Sequence, residues 1–436
     1  MATGQLHHTA EGNPPGRSFR FLASAAAAEG FGDALTRAVL PILAVAVLGL
    51  GPAFVGILNA TGIAAFLLLG VGVGIAVDRA GKPRMAMGAA SLLRCGVLLA
   101  LAAALWRGGL TGGVLFAAAV LIGAADVVFT TAHSTVVPRV VGQGGLRRAY
   151  SRLAVINQTT AAGGAGAAGA ILAVIGMPLL LLAGAGAYAA SCLFQRGIRL
   201  DDVEPRPEAE PVAGSKPGPA GKPGPAGQRR PAAARRRARG GFASLRHSPA
   251  LRALTLSACL TNAGAMVGNT VLPVYVLRDL AVAPAAFAAL GVLSALGAVG
   301  GAAAAPYLSG RVGLRVLRTG SALLGVPAVL LAVFCSVLPG PETAWLAVQT
   351  LVWGFLVAVA GVAGAEVLPR VVPHHELATV GAAQRTLTLG VMPAAAVLAG
   401  LAAAAVGTVP VLWLWALLAG AAALPVACTA SLAPFR

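Results

Sequence analysis

The chain alternates long apolar runs with short basic segments. A helix needs about 20 apolar residues to cross the hydrocarbon core of a bilayer. Twelve runs of that order are present: 20–47, 52–77, 85–106, 113–136, 151–175, 178–195, 251–276, 284–308, 317–338, 343–366, 379–403 and 408–432. Several junctions carry helix-ending residues, as in Gly51-Pro52, Gly176-Met177-Pro178 and Pro339-Gly340-Pro341. The pattern predicts an all-α integral membrane protein of twelve transmembrane helices. The first run is not expected to be a cleaved signal, because no basic cluster precedes it and it carries Glu29, Asp33 and Arg37.

The runs repeat. Val39-Leu40-Pro41 in the first recurs as Val271-Leu272-Pro273 in the seventh, an offset of 232. Arg79-Ala80-Gly81 recurs as Arg311-Val312-Gly313 at the same offset, and Val137-Pro138-Arg139-Val140-Val141 recurs as Leu368-Pro369-Arg370-Val371-Val372 at 231. The predicted domains are a tail over 1–19, a six-helix half over 20–196, a linker over 197–250 and a second six-helix half over 251–436. Parallel repeats of this kind are a transporter architecture, with the substrate site near the membrane midplane between the halves.

Composition agrees with a membrane setting. Of 436 residues, 58% are hydrophobic and only 11% charged, against roughly 45–50% and about 25% in soluble domains, and the mean hydropathy is +0.83. The net charge of +18 does not point to nucleic acid, because the basic residues lie between apolar runs instead of along one face. Arg79, Lys82, Arg84, Arg139, Arg147, Arg148, Arg311, Arg315 and Arg370 all follow even-numbered runs, whereas the opposite loops carry only Arg107 and Arg278. The excess of Lys and Arg on one side places both termini in the cytoplasm. Richness in Ala, Gly and Arg suggests a high-GC bacterial genome, hence a bacterial plasma membrane, and a monomer is expected. Cys95, Cys192, Cys259, Cys335 and Cys428 all fall in apolar runs and read as small buried hydrophobes.

The linker begins acidic, passes through a short Pro/Gly repeat and ends in Arg235-Arg236-Arg237 with Arg239. It cannot bury a core, so it is expected to be a disordered cytoplasmic tether. Its basic block offers an alternative role, attraction to anionic lipid.

The segment Gly74-Ile75-Ala76-Val77-Asp78-Arg79-Ala80-Gly81-Lys82-Pro83-Arg84 resembles the G-x-x-x-D-R-x-G-R-K signature of the major facilitator superfamily. The resemblance implies the fold of that family and a cytoplasmic gate made of Gly74, Asp78, Arg79, Gly81, Lys82 and Arg84. The second copy keeps Arg311, Gly313 and Arg315 but has Gly310 in place of the acid. Arg94, the stretch from Asp126 to Arg139, and Leu272-Pro273-Val274-Tyr275-Val276 followed by Arg278-Asp279 are similar to the macrolide and siderophore efflux branch, whose members are generally proton-driven exporters. The chain departs from that branch at Ala149-Tyr150-Ser151-Arg152, where an Ala-Asn pair is usual.

A charge at the bilayer centre costs roughly 2.5–3.5 kcal/mol on insertion scales, so each one present implies an interior partner or a wet cavity. Glu29, Asp33 and Arg37 are spaced four apart, on one helix face expected to point between the halves. Asp33 lies roughly 20 Å into its run, and Asp126 lies at comparable depth. These four residues are candidates for proton coupling. The alternative is a permanent Asp33–Arg37 or Glu29–Arg37 pair that fixes packing. Arg94 has Asp126 or Asp78 as possible partners. Arg94, Asn157, Asn262 and Asn269 are candidate cavity residues, although Asn157, with Gln158, and the two other asparagines serve equally well as interhelical hydrogen-bonding groups. Glu366 is expected at the interface. His133, His374 and His375 are read as surface or interface residues, not as a metal site.

No phosphate loop or nucleophile turn is visible, so ATP-driven transport within the chain, an enzyme and a cofactor are not expected. The reading is a proton-coupled exporter of a small hydrophobic or amphipathic compound, its partners being that compound, protons and the bilayer. An importer or uniporter of the same fold, or a non-transporting membrane scaffold, are the alternatives.

Overall fold

The computed structural model describes residues 17–141, 146–199, 242, 244–365, 367–372 and 377–432. The histidines at 374 and 375, Glu366 and the linker residues 200–241 and 243 lie outside these residues, as does the side chain of Asp78. The first half contains α1 (Arg17–Ile42), α2 (Pro52–Ala80), α3 (Pro83–Trp106), α4 (Gly112–Val141), α5 (Leu146–Val174) and α6 (Met177–Arg196). The second contains α7 (Pro249–Val274), α8 (Pro284–Val312), α9 (Leu314–Phe334), α10 (Glu342–Ala365), α11 (Leu377–Val406) and α12 (Thr408–Ala421, prolonged by Ala423–Ala427). A helical turn, Val367–Val371, follows α10.

The chain is therefore a multi-pass membrane protein of two six-helix repeats. Among the described residues, eleven helices are long and apolar enough to cross a membrane unaided. The exception, α5, includes Arg152 and the polar run Asn157-Gln158-Thr159-Thr160, and it is sandwiched between α1 and α8. Several helices outrun their apolar segments: α5 starts at Leu146, ahead of the predicted 151, and α2 continues to Ala80 beyond the predicted 77. Backbone hydrogen bonding continues into the polar interface, where hydropathy no longer marks the helix.

The repeat extends to local backbone. Beyond Pro41, α1 widens into a π-turn over Leu43–Val47, and beyond Pro273, α7 does the same over Tyr275–Asp279. Proline lacks an N–H and its ring clashes with the carbonyl four residues earlier, so the helix leaves its regular register at the same place in both halves. The two π-turns touch each other.

They mark the end at which the halves are joined, here called distal; the end where α1 begins is proximal. At the distal end one buried cluster draws on both halves, with Leu43, Ala44 and Val45 packed near Val274, Ala288 and Phe287. Small residues allow close approach: a Cβ on Gly56 of α2 would stand 2.5 Å from the Ala396 carbonyl oxygen of α11, and one on Gly400 would stand 2.6 Å from the Pro52 carbonyl oxygen. At the proximal end the buried clusters separate. One, around Phe19, Val77 and Phe129, belongs to the first half, and the other, around Leu251, Leu314 and Val372, belongs to the second. The halves meet distally and part proximally.

Gly400→Leu should therefore wedge α2 from α11. In a cysteine-free background, a cysteine placed at Leu40 should be labelled several-fold faster by a membrane-impermeant maleimide added from the distal side. Unchanged labelling would show that the distal closure does not depend on this contact.

Candidate functional site

A cavity of about 570 Å³ lies between the halves. Asp33, Arg37, Asn59, Arg94 and Asp126 of the first half and Asn269 and Arg385 of the second are its principal polar residues; Leu40, Pro41, Ile63, Phe66, Met266, Pro273 and Phe287 are among the apolar ones.

The first-half wall is organised by Arg94 of α3. Its side chain is fully buried, and its two terminal nitrogens serve three carboxylates: Nη1 donates to Glu29 Oε1 at 2.7 Å and to Asp33 Oδ1 at 2.8 Å, and Nη2 donates to Asp126 Oδ1 at 2.7 Å. The guanidinium also lies 5.3 Å from the centre of the Tyr188 ring and 5.8 Å from that of Phe129. A second ring of donors completes the acids. Ser91 Oγ donates to Glu29 Oε2 at 2.8 Å, Tyr188 Oη donates to Asp33 Oδ1 at 2.8 Å, and Gln195 Nε2 donates to Ser91 Oγ at 3.0 Å. The fixed fork of a guanidinium suits such multiple pairing.

Exposure separates the acids. The Glu29 side chain is 3% exposed, whereas those of Asp33 and Asp126 are 29% and 46% exposed. Glu29 is thus locked inside the half, while both aspartates open on the cavity. Three carboxylates around one guanidinium are more than Arg94 alone can balance, and Arg37 and Arg385 also line the cavity.

This arrangement changes the expected pairing. The partner of Glu29 and Asp33 is Arg94, not Arg37; among the described residues Arg37 has no ion pair and lines the cavity. Glu29 points into its own half, not between the halves. Asn269 lines the cavity, and its carbonyl accepts a hydrogen bond from Asn59 Nδ2 across the halves at 3.1 Å. Asn262 instead ties α7 to α11 by donating to the Thr388 carbonyl at 2.9 Å, and Asn157 faces Gly30 of α1; neither lines the cavity. His133 is half-buried and stacked on Phe129, with ring centroids 5.8 Å apart.

Among the described gate residues, Arg84, Arg311 and Arg315 are engaged within their own halves. Gly81 and Gly313 make turns at φ of +63° and +77°, a region glycine enters without strain. Arg84 Nη1 donates to the Ile198 carbonyl at 2.9 Å, closing over the end of α6. Arg315 donates to the Ala427 carbonyl at the end of α12, and Arg311 stacks on Tyr307 at 4.2 Å. Gly74 packs towards Thr131 of α4, while Arg79 ends α2 and Lys82 precedes α3. Among the described residues no ion pair joins the gate segments across the halves, in keeping with their separation at the proximal end.

Sequence reasoning missed Ser91, Tyr188, Gln195, Asn59 and Arg385. For Tyr188 and Gln195 a signal existed, since both are polar residues inside an apolar run.

Two parallel six-helix halves, joined at one end around a central charged cavity, form a membrane-transporter fold. The sequence matches the Major Facilitator Superfamily over residues 22–393, and the chain belongs to that family. No curated protein sequence matches it. Among solved structures, the fold is similar to a point mutant of the nucleoside transporter NupG (TM-score 0.70, 14% identity, covering 94% of this chain and 98% of that one). It is also similar to a bacterial homologue of the iron transporter ferroportin in the inward-facing state (0.66, 14%, 95% and 99%). A third likeness is to the POT family transporter PepTSo (0.69, 13%, 95% and 98%).

Removing one member of a buried ion pair costs about 3–5 kcal/mol. Arg94→Met should therefore lower the thermal unfolding midpoint of the detergent-purified protein sharply, whereas Tyr188→Phe, which deletes the hydrogen bond to Asp33 and the one shared with Thr36, should cost about 2 kcal/mol. An unshifted midpoint in Arg94→Met would remove the cluster from the stability of the first half.

Proposed function

We propose that the chain is a proton-coupled secondary transporter that exports a small hydrophobic or amphipathic compound from a bacterial cell by alternating access. The observation that carries this reading is the excess of acids around Arg94 at the cavity wall. Asp33 and Asp126 take up and release the coupling protons, and Glu29 holds Arg94 in place between them. Arg94 shares its donors among the three acids, so a proton arriving on one aspartate frees a guanidinium bond for the others. Intramembrane acids that face a wet cavity are the usual location of such relays.

The substrate occupies the same cavity. Its apolar walls suit a hydrophobic body, while Arg37, Asn269 and Arg385 offer polar contacts from both halves. A substrate carrying positive charge competes with protons for Asp33 and Asp126, which links its release to proton entry. Rocking the halves closes the proximal end, where the segments around Asp78 and Arg311 come together as the gate, and opens the distal one. The export direction rests on the resemblance to the efflux branch, and the basic loops favour cytoplasmic termini. With that orientation the described state is open to the cytoplasm.

Everted membrane vesicles loaded with a pH-sensitive dye test this reading. After energisation, a panel of antibiotics, dyes and siderophores should contain compounds that discharge the pH gradient. Asp33→Asn and Asp126→Asn should each reduce that discharge at least ten-fold while the protein remains folded. Full proton-driven transport in both variants would sink the coupling role of the cluster.

A further inference from the structure

The second half holds a buried cation that the coupling scheme does not use. Arg318, one turn into α9, is 7% exposed. Its Nη1 donates to the Ala360 carbonyl of α10 at 3.0 Å, and its Nε has no partner. Among the described residues no carboxylate pairs with it. The acids described in this half, Asp279 and Glu342, both stand at the distal end, where Asp279 accepts a hydrogen bond from Thr408 at 2.6 Å. A guanidinium withdrawn from water without a counter-charge is strongly unfavourable. Yet the fold is shaped to admit it: a side chain on Gly364 of α10 would collide with the guanidinium.

Arg318 borders a cavity of about 20 Å³ between α7, α9, α10 and α12, where Ser257, Thr261, Ser321 and Trp353 also reach the surface. A site needs roughly 10–15 Å³ by this measure to hold one water-sized species, so there is room for one small occupant. The hydroxyls of Thr261 and Ser321 donate to carbonyls of their own helices, at 3.0 and 2.7 Å. A rotation about the side-chain bond turns either proton towards an occupant.

The repeat identifies the chemistry that is missing. Glu29 and Thr261 are 232 positions apart, the offset that relates α1 to α7, and Asp126 and Val357 are 231 apart, the offset that relates α4 to α10. Both replacements, Thr261 and Val357, line the small cavity. The void therefore stands where the first half keeps its carboxylates, and Arg318, without a carboxylate partner among the described residues, projects beside it.

We propose that this cavity binds one small monovalent anion of halide size, chloride under cellular conditions, which supplies the charge that Glu29 and Asp126 supply in the first half. The site is separate from the central cavity and does not depend on the direction of transport or its coupling ion. Larger anions such as gluconate do not fit.

Thermal unfolding of the purified full-length protein in detergent provides the test, with sodium chloride exchanged for sodium gluconate at constant ionic strength and pH. A ligand that binds only the folded state raises the midpoint in a saturable way. Chloride and bromide should do so, and gluconate should not. Arg318→Met should abolish the response. Thr261→Glu, which restores a carboxylate beside Arg318, should make the midpoint insensitive to chloride in a protein that still folds. Equal midpoints for the unsubstituted protein in chloride and gluconate would overturn the proposal. So would a chloride response that persists in Thr261→Glu, and that variant decides the matter alone if Arg318→Met fails to fold.

Discussion

Burying one guanidinium inside a bilayer-spanning half imposes most of the order seen around it. Arg94 is fully buried, and its two terminal nitrogens end on carboxylates that come from α1 and α4. The acids in turn require donors of their own, which α3 and α6 provide through Ser91 and Tyr188, with Gln195 supporting Ser91. Four of the six helices are thereby fixed in rotation about their axes. Dispersion between Ala and Gly surfaces alone would leave those rotations weakly specified, since small side chains interlock poorly. The same demand leaves Asp33 and Asp126 on the cavity side, so the stability of the half and its reactive surface have one origin.

The contact between halves is built on the opposite principle. At the distal end, backbones approach through Gly56 and Gly400, and the two π-turns meet without an ion pair among the described residues. Small-residue contacts of this kind associate helices in membranes by packing, not by charge. They separate without leaving a buried charge unpaired. A rigid, charge-locked half and a parting surface without salt bridges among the described residues suit the rocking proposed above. The links from Asn59 to the Asn269 carbonyl and to the Thr270 hydroxyl are polar exceptions, and they lie beside the cavity, where water or substrate can replace them.

Much of this was legible in the sequence, and the limits follow physical lines. Hydropathy marked the twelve helices, because a lipid-facing surface demands apolar length. Repeated tripeptides marked the halves, and Pro41 and Pro273 already stood at the positions where both helices widen. The spacing of Glu29, Asp33 and Arg37 identified a face of α1 but could not say which helix it meets. Arg37 was the nearest cation in sequence, yet Arg94 was nearest in space, since four residues along a helix fix an angle and reveal nothing about neighbours. Arg385 escaped notice because a single arginine early in an apolar run looks like an interfacial residue until the opposite wall of the cavity is known. The ends of α2 and α5 were misjudged because helical hydrogen bonds outlast apolar composition.

The two halves differ in where they carry charge. The first keeps three acids around Arg94, while the second has Thr261 and Val357 at the matching places of two of them and an arginine nearer the proximal end. Under the proposed coupling, protonation therefore acts inside one rigid body. It cannot drive rocking by breaking a bond between the halves, because the Arg94 bonds do not cross between them. Its influence must pass through what the cavity wall presents, namely the charge of Asp33 and Asp126 to a molecule that also touches Arg385 and Asn269. Coupling in such an arrangement is a competition within one cavity. The asymmetry between the repeats supports this, since acids duplicated in both walls would bind protons on each side without tying either to the substrate.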